Sequence, residues 1–305
     1  MYLSYSGWSK LEACAFAYWN EYENRTKVDA PDDRLGSVYG SVVGLLMEDF
    51  YILKIWKAEK PQQALLERVR PTIDKVIKKE TTPWKDRPAG VLMWKGSKEG
   101  QNPKALYTNI EELEADVRDT IPRAFRSVRH HKLLGPRTDA EYKLDYVKGD
   151  DIIAGRADFI IKRVAPHSDL LIIDGKGSRH RAKYVDPDQL RWYAMLFWLH
   201  TKTLPDQLAF LFWRFEPLQS MDWISISEFE VEELYERVQE SFQSLQTKRK
   251  LLVVNAAPAG ARNVYTPNPN EDNCRFCPYA TPELCPKGVQ VQKEIADRAA
   301  AKRKR

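Results

Sequence analysis

Apolar positions along the first third of the chain recur at helical spacing. Leu11, Cys14, Ala15, Tyr18, Trp19 and Tyr22 fall on one face of a predicted N-terminal helix. Ser6 or Ser9 is placed to cap it, with Glu12 three residues after Ser9. A polar, proline-containing stretch over 28–34 ends it. Further helices are predicted over about 35–56, 58–80 and 111–134, the last acidic at its start and basic at its end, which suits the helix dipole. Between them, 81–103 is rich in Gly, Pro, Lys and Trp and reads as a long loop. From Glu141 the period shortens. EYKLDYV, DIIAGRADFIIKR and DLLIIDGKGS read as three short strands. Asp188 to His200 is helical again, LAFLFWRF (208–215) and WISIS (223–227) are further strands, and Ser227 with Glu230 caps a helix to about 250. The alternation predicts an α/β protein: a central mixed sheet flanked by helices, with no internal repeat.

Composition removes several classes. With 43% hydrophobic and 30% charged residues, the 305-residue chain can bury a core and is neither disordered, collagen-like nor a coiled coil. No apolar run approaches membrane-spanning length, and the opening MYLSYSGWSK lacks the basic and apolar blocks of a signal peptide. A soluble, cytoplasmic protein without a membrane partner is expected. The net charge of +5 lies wholly in the tail from Lys287 to Arg305, so the body is neutral. Local clusters must therefore carry any argument for nucleic acid. Arg123, Arg126 and His130 share a face of the fourth helix, and the loop GSRHRAKY holds Arg179, Arg181 and Lys183. Either set is a solvated basic surface or a grip on a phosphate backbone.

Two local patterns point to chemistry. Gly36, Gly40, Gly44 and Glu48 are spaced by four and share one helix face. Each interior glycine costs about 1 kcal/mol relative to alanine, so the stripe needs a reason, either close packing or close approach of a substrate beside Glu48. Cys274, Cys277 and Cys285 lie within NCRFCPYATPELCP. Three cysteines in one proline-punctuated loop read as metal ligands, and Cys14 alone is left to supply a fourth.

Asp158 follows GRA on one strand, and the apolar LLII ends in Asp174-Gly175-Lys176 on the next. Carboxylates beside Leu and Ile are expensive unless neutralised. Residues i and i+2 of a strand share a face, so Asp174 and Lys176 are expected to project together into the pocket that Asp158 enters. Hard oxygen ligands there suit Mg²⁺ or Mn²⁺. Gln189 and Tyr193, one turn apart on the next helix, face the same cleft in this reading.

The ordered series GRAD (155–158), IIDGK (172–176) and QLRWY (189–193) resembles the motifs of PD-(D/E)XK nucleases. More narrowly it is similar to the RecB-like branch, which includes CRISPR-associated adaptation exonucleases and a helicase–nuclease subunit. The resemblance covers roughly 1–50 and 138–290. It implies a restriction-endonuclease-like core in which Asp158 and Asp174 ligate the metal, Lys176 is the catalytic lysine, Gln189 and Tyr193 are accessory, and Glu141 corresponds to an acid on the preceding strand. Its iron–sulfur members carry one cysteine before the core and three after it, which Cys14, Cys274, Cys277 and Cys285 match. A 4Fe–4S cluster is then implied, with zinc as the alternative. The family's first motif carries a histidine where this chain has Gly44; Glu48 would serve as the ligand instead.

The expected organisation is an N-terminal helical segment (1–57), a helical insert (58–137), a nuclease core (138–250), a cysteine-rich cluster segment (251–290) and a basic tail (291–305). The expected activity is metal-dependent hydrolysis of DNA from an end, single strands favoured. Partners by resemblance are a recombination, helicase or CRISPR adaptation complex. The alternative is a DNA-binding or assembly subunit that keeps the fold with an impaired site.

Overall fold

The computed structural model describes residues 1–26, 35–80, 107, 110–134, 138–163, 169–178, 181, 185–254, 258–275 and 277–303. The loop predicted over 81–103, Arg179 and Lys183 lie outside the described residues.

The chain opens with β1 (Tyr2–Ser4) and α1 (Tyr5–Ala13). Ser4, rather than Ser6 or Ser9, caps α1, its Oγ accepting from the Gly7 amide at 3.3 Å. The single predicted helix is two. Cys14 is extended (φ −157°, ψ 102°) and separates α1 from α2 (Ala15–Tyr18), which continues as a π-helical turn over Trp19–Glu23. The break leaves the Ala13 carbonyl without a ladder partner. The side-chain amides of Asn268 (3.0 Å) and Asn273 (2.7 Å) replace it.

Next come α3 (Leu35–Ile52), α4 (Pro61–Glu67), α5 (Val69–Glu80) and α6 (Ile110–His130). The helix predicted over 58–80 is thus split at Arg68, and Pro71, which has no amide to donate, falls in the first turn of α5. The strands follow: β2 (Thr138–Lys143), β3 (Tyr146–Lys148), β4 (Asp151–Ala154), β5 (Arg156–Lys162) and β6 (Leu170–Lys176). After α7 (Pro187–Thr201) come β7 (Gln207–Phe212), β8 (Met221–Ile224), α8 (Glu228–Val254), α9 (Pro258–Val264), α10 (Glu271–Cys274) and α11 (Pro286–Arg303). Among the described residues no helix is long and apolar enough to cross a membrane.

Contacts divide the chain into two compact units. One gathers Met1–Pro31, Gly149–Ile152 and Tyr235–Arg305; the other holds Asp32–Lys148 and Ile153–Leu234. The second is built on a five-stranded mixed sheet of order β2-β5-β6-β7-β8, in which only β6 and β7 run parallel. Alternation along the strands sorts its faces. Phe159, Ile161, Leu171, Ile173, Ala209 and Leu211 enter the core that α3, α5 and α6 build. The intervening residues, Ile160, Ile172, Leu208 and Phe210, are buried as well, and α7 packs on β6 and β7. Covering both faces explains why β6 is a continuous apolar run rather than an alternating one.

The first unit is made from the two ends of the chain. The Met1 amine pairs with Asp151 Oδ1 at 2.9 Å, and the Arg249 guanidinium binds Glu23 Oε2 from Nε at 2.9 Å. Arg237 lies 4.8 Å over the Trp8 ring. The last two pairings tie α1 and the turn after α2 to α8, and the first ties the Met1 amine to β4.

Candidate active site

Asp174 sits near the end of β6, on the α7 side of the sheet, with only 3% of its surface exposed. A carboxylate so deep needs partners. Lys176, two residues on and on the same face, brings its Nζ to 2.6 Å from Asp174 Oδ2. The ammonium donates to Gln189 Oε1 at 2.9 Å and lies 5.1 Å over the Phe210 ring. Gln189 in turn donates from Nε2 to Asp174 Oδ1 at 2.9 Å, so acid, amine and amide close a ring. Its Nε2 is also 3.4 Å from the Tyr193 hydroxyl.

Asp158 enters from β5. The pairing of Phe159 with Ile173 sets it beside Asp174, and the Gly175 amide donates to its Oδ2 at 2.8 Å. Burial, then repulsion from Asp174, push its carboxyl up to about 8, against the pull of the Gly175 amide and Lys176. Asp174 is pushed up by burial as well, opposed by Lys176. Without a cation the pair holds a proton near neutral pH, because one ammonium cannot balance two buried carboxylates. Burial and Asp174 also raise the Tyr193 phenol, which keeps its proton at neutral pH.

The helix α7 reaches this site because β4 and β5 part at Gly155. A Cβ there would lie 2.5 Å from Leu196 Cδ1 and 3.3 Å from the Tyr193 ring, so any side chain would have to displace Leu196. The Trp192 indole then donates to the Ala154 carbonyl at 3.0 Å, fixing the helix rotation that aims Gln189 and Tyr193 at the strand ends.

Two further acids stand nearby. The Glu48 carboxyl on α3 is raised by burial and then by Glu141 and Asp49. Glu141, on the edge strand β2, has a left-handed backbone (φ 52°) at the position facing Asp158, between the pairs Ala140–Phe159 and Tyr142–Ala157. That conformation costs about 1 kcal/mol or more for a residue with a side chain. Its Oε2 accepts from Arg156 at 3.2 Å. Among the described residues, no three His, Cys, Asp or Glu side chains converge closely enough to hold a metal ion, so Glu48 is not gathered with the two aspartates. A Cβ on Gly44 would meet nothing within 4 Å, and the same is true of Gly40; neither needs to be glycine to make room for a neighbour at its own Cβ.

The basic residues are largely engaged within the protein. Arg181 pairs with Asp222 of β8 and lies 5.7 Å from the Phe212 and Phe215 rings. Arg126 binds both oxygens of Glu216 (2.9 and 3.0 Å), and Arg123 pairs with Asp119 and donates to the Arg214 carbonyl.

In the other unit, Cys14, Cys274, Cys277 and Cys285 all line one cavity and form no disulfide. Burial raises the thiols of Cys274 and Cys277. The Asn268 amide approaches Cys14 Sγ at 3.4 Å, and Gln292 donates to the carbonyls of Cys274 (2.8 Å) and Cys277 (3.2 Å). Sequence reasoning missed Asn268, Asn273 and Gln292, since isolated amides carry no periodic signal.

The fold and the strand-end cluster thus define an α/β protein with a buried acid–lysine site on a mixed sheet. The model of the PD-(D/E)XK nuclease superfamily matches residues 2–286, and the chain belongs to that superfamily. No curated protein matches the sequence. Among solved structures, the crystal structure of SSO0001 is similar at 15% identity, over 57% of this chain and 77% of that chain, with a TM-score of 0.28. That overlap is too loose to transfer any residue role.

Proposed function

We propose that this chain is a divalent-cation-dependent deoxyribonuclease that hydrolyses phosphodiester bonds from DNA ends, single strands favoured. The observation that carries the reading is the pair of buried aspartates, Asp158 and Asp174, both raised by burial and facing the single Lys176 ammonium, 2.6 Å from Asp174 Oδ2, with Gln189 closing the ring. Mg²⁺ is satisfied by one or two carboxylates together with waters and phosphate oxygens, so Asp158 and Asp174 suffice as a pair without a third acid. A cation held by them would polarise the scissile phosphoryl group and acidify a bound water. Lys176, fixed by Asp174 and Gln189, has a remaining N–H to orient the attacking water or stabilise charge developing on a phosphoryl oxygen. Gln189 holds the carboxylate and the ammonium in register, and the Tyr193 hydroxyl stays protonated as a donor. The preference for ends and single strands, and a place in a cytoplasmic recombination, helicase or CRISPR adaptation complex, follow the resemblance to the RecB-like branch.

The four cysteines extend the reading. Their shared cavity and all-thiol donor set suit an iron–sulfur cluster. Its role here is structural, a staple between Cys14 and the segment around Cys274–Cys285.

A second reading, a subunit that binds DNA without cutting it, draws on the open space beside Gly44, where the superfamily's first-motif histidine is expected. Labelled single- and double-stranded DNA, incubated with anaerobically purified protein and Mg²⁺, Mn²⁺ or EDTA, separates the two. Cation-dependent shortening from an end supports the nuclease; binding without any cleavage supports the rival.

A further inference from the structure

Arg214 stands just beyond β7. Its guanidinium is the hub of a buried network that the helical insert shares with the sheet. Its side chain is 11% exposed. Nη1 donates to Asp116 Oδ1 of α6 at 2.7 Å, and Nη2 to the Tyr107 hydroxyl at 2.9 Å. Tyr107 donates to the other Asp116 oxygen at 2.5 Å. The guanidinium carbon Cζ lies 3.4 Å from the ring centre of Tyr39 on α3, whose hydroxyl meets Thr120 of α6 at 2.5 Å. The remaining donor, Nε, reaches the backbone: it binds the Gly177 carbonyl at 3.0 Å.

Gly177 is the residue after Lys176. It is wedged as well as bonded, since a Cβ there would lie 2.8 Å from the Gly40 Cα and 3.3 Å from the Tyr39 ring. One residue before Arg214, the Trp213 amide donates to the Lys176 carbonyl at 3.1 Å. The backbone leaving β6 is therefore held from two adjacent residues, at the point where the strand would otherwise fray. Lysine ammonium placement depends on this anchor, because four flexible carbons amplify any backbone shift.

We propose that Arg214 is a positioning residue for Lys176, acting through the Gly177 carbonyl, with Asp116, Tyr107 and Tyr39 as the frame that orients its guanidinium. The proposal rests on Lys176 being the working lysine. It also gives the insert a function: α6 braces the exit of the strand that carries the chemistry. Arginine is required, because three donors on one rigid plane face three different oxygens, which a single ammonium cannot do.

The test compares Arg214→Lys with Arg163→Lys. Arg163 has similar burial and pairs with Asp169, but at the opposite end of β6. Both variants are expected to melt earlier. Only Arg214→Lys is expected to speed hydrogen exchange in the peptide spanning 174–178, by about tenfold, and to lower kcat by about 10- to 100-fold with KM for DNA within twofold. If Arg214→Lys is too unstable to purify, Tyr107→Phe removes only one hydroxyl and is expected to shift both readouts in the same direction, about threefold. Exchange over 174–178 and kcat per folded molecule both unchanged in the Arg214 or Tyr107 variant would overturn the proposal. A wild-type protein that cuts no DNA would instead remove the nuclease reading, while the exchange comparison still decides the clamp.

Discussion

The acid–lysine cluster and the cysteine cavity are organised by opposite means. In the first, every side chain is already held by another member: Lys176 by Gln189, Gln189 by Asp174, Asp158 by the Gly175 amide. In the second, Gln292 donates to the Cys274 and Cys277 carbonyls, the Asn268 amide approaches Cys14 Sγ, and the four sulfurs share one cavity. Charge explains the contrast. Buried ions must be paired in the empty protein or they destabilise it, whereas neutral thiols can wait in an apolar pocket at little cost. The charged site is preorganised by necessity; the thiol site is free to take its final geometry from what it binds.

The largest effect that would sharpen this contrast comes from Asp174→Ala or Lys176→Ala. Either should lower single-turnover cleavage by about 10²–10³-fold or more and change DNA affinity by less than about threefold, measured by fluorescence anisotropy at fixed salt. Cleavage retained by both variants would break the assignment of the site. Cys277→Ala should do the reverse. By analogy with a cross-link closing a very long loop, worth about 5 kcal/mol, it should lower the melting temperature by roughly 10–20 °C and bleach the protein, while cleavage per folded molecule stays within about twofold. A colourless, equally stable variant would show that the cavity binds nothing structural.

The strand-end cluster was largely readable from the sequence, and the reason is geometric. Asp174 and Lys176 must share a face because a strand alternates, and Gln189 and Tyr193 must share one because a helix turns. What no periodicity encodes is the partner across the sheet. Nothing in the residues around 214 signals that its side chain reaches Asp116 and Gly177, because contacts between distant segments leave no local trace. The break at Cys14 was hidden for the same reason: Asn268 and Asn273, which hold the freed carbonyl of Ala13, lie far away in sequence. The placement of Pro71 in a first turn had a local cause and was legible in principle. Arg181 illustrates the converse, since its place in a basic loop gives no sign of the Asp222 carboxylate that pairs with it.

A smaller effect tests the charge argument directly. Asp158 is raised to about 8 in the folded protein, above the ordinary carboxylate value of about 4. The folded state therefore binds the extra proton, and stability is greatest below the unfolded value and declines as pH rises toward 8. In EDTA the melting temperature should fall by several degrees between pH 5 and pH 8 from this group, and Asp158→Asn should flatten that part of the curve. An identical slope in the variant would mean that Asp158 is already charged. The smallest effect is expected at the basic surface. Arg126→Ala and Arg181→Ala should each weaken DNA binding by less than about twofold at physiological salt, since both guanidiniums already face carboxylates. A larger loss would show that these pairs open for a phosphate.

The unit assembled from both chain ends imposes an order on biosynthesis. Cys14 leaves the ribosome early, yet its neighbour Asn268 follows 254 residues later. At about 5–20 residues per second, that thiol waits roughly 13–50 s for its companions. During that interval everything needed for the sheet and its acid–lysine cluster emerges, since β8 ends at Ile224. All four thiols are therefore present together only once Cys285 has been made.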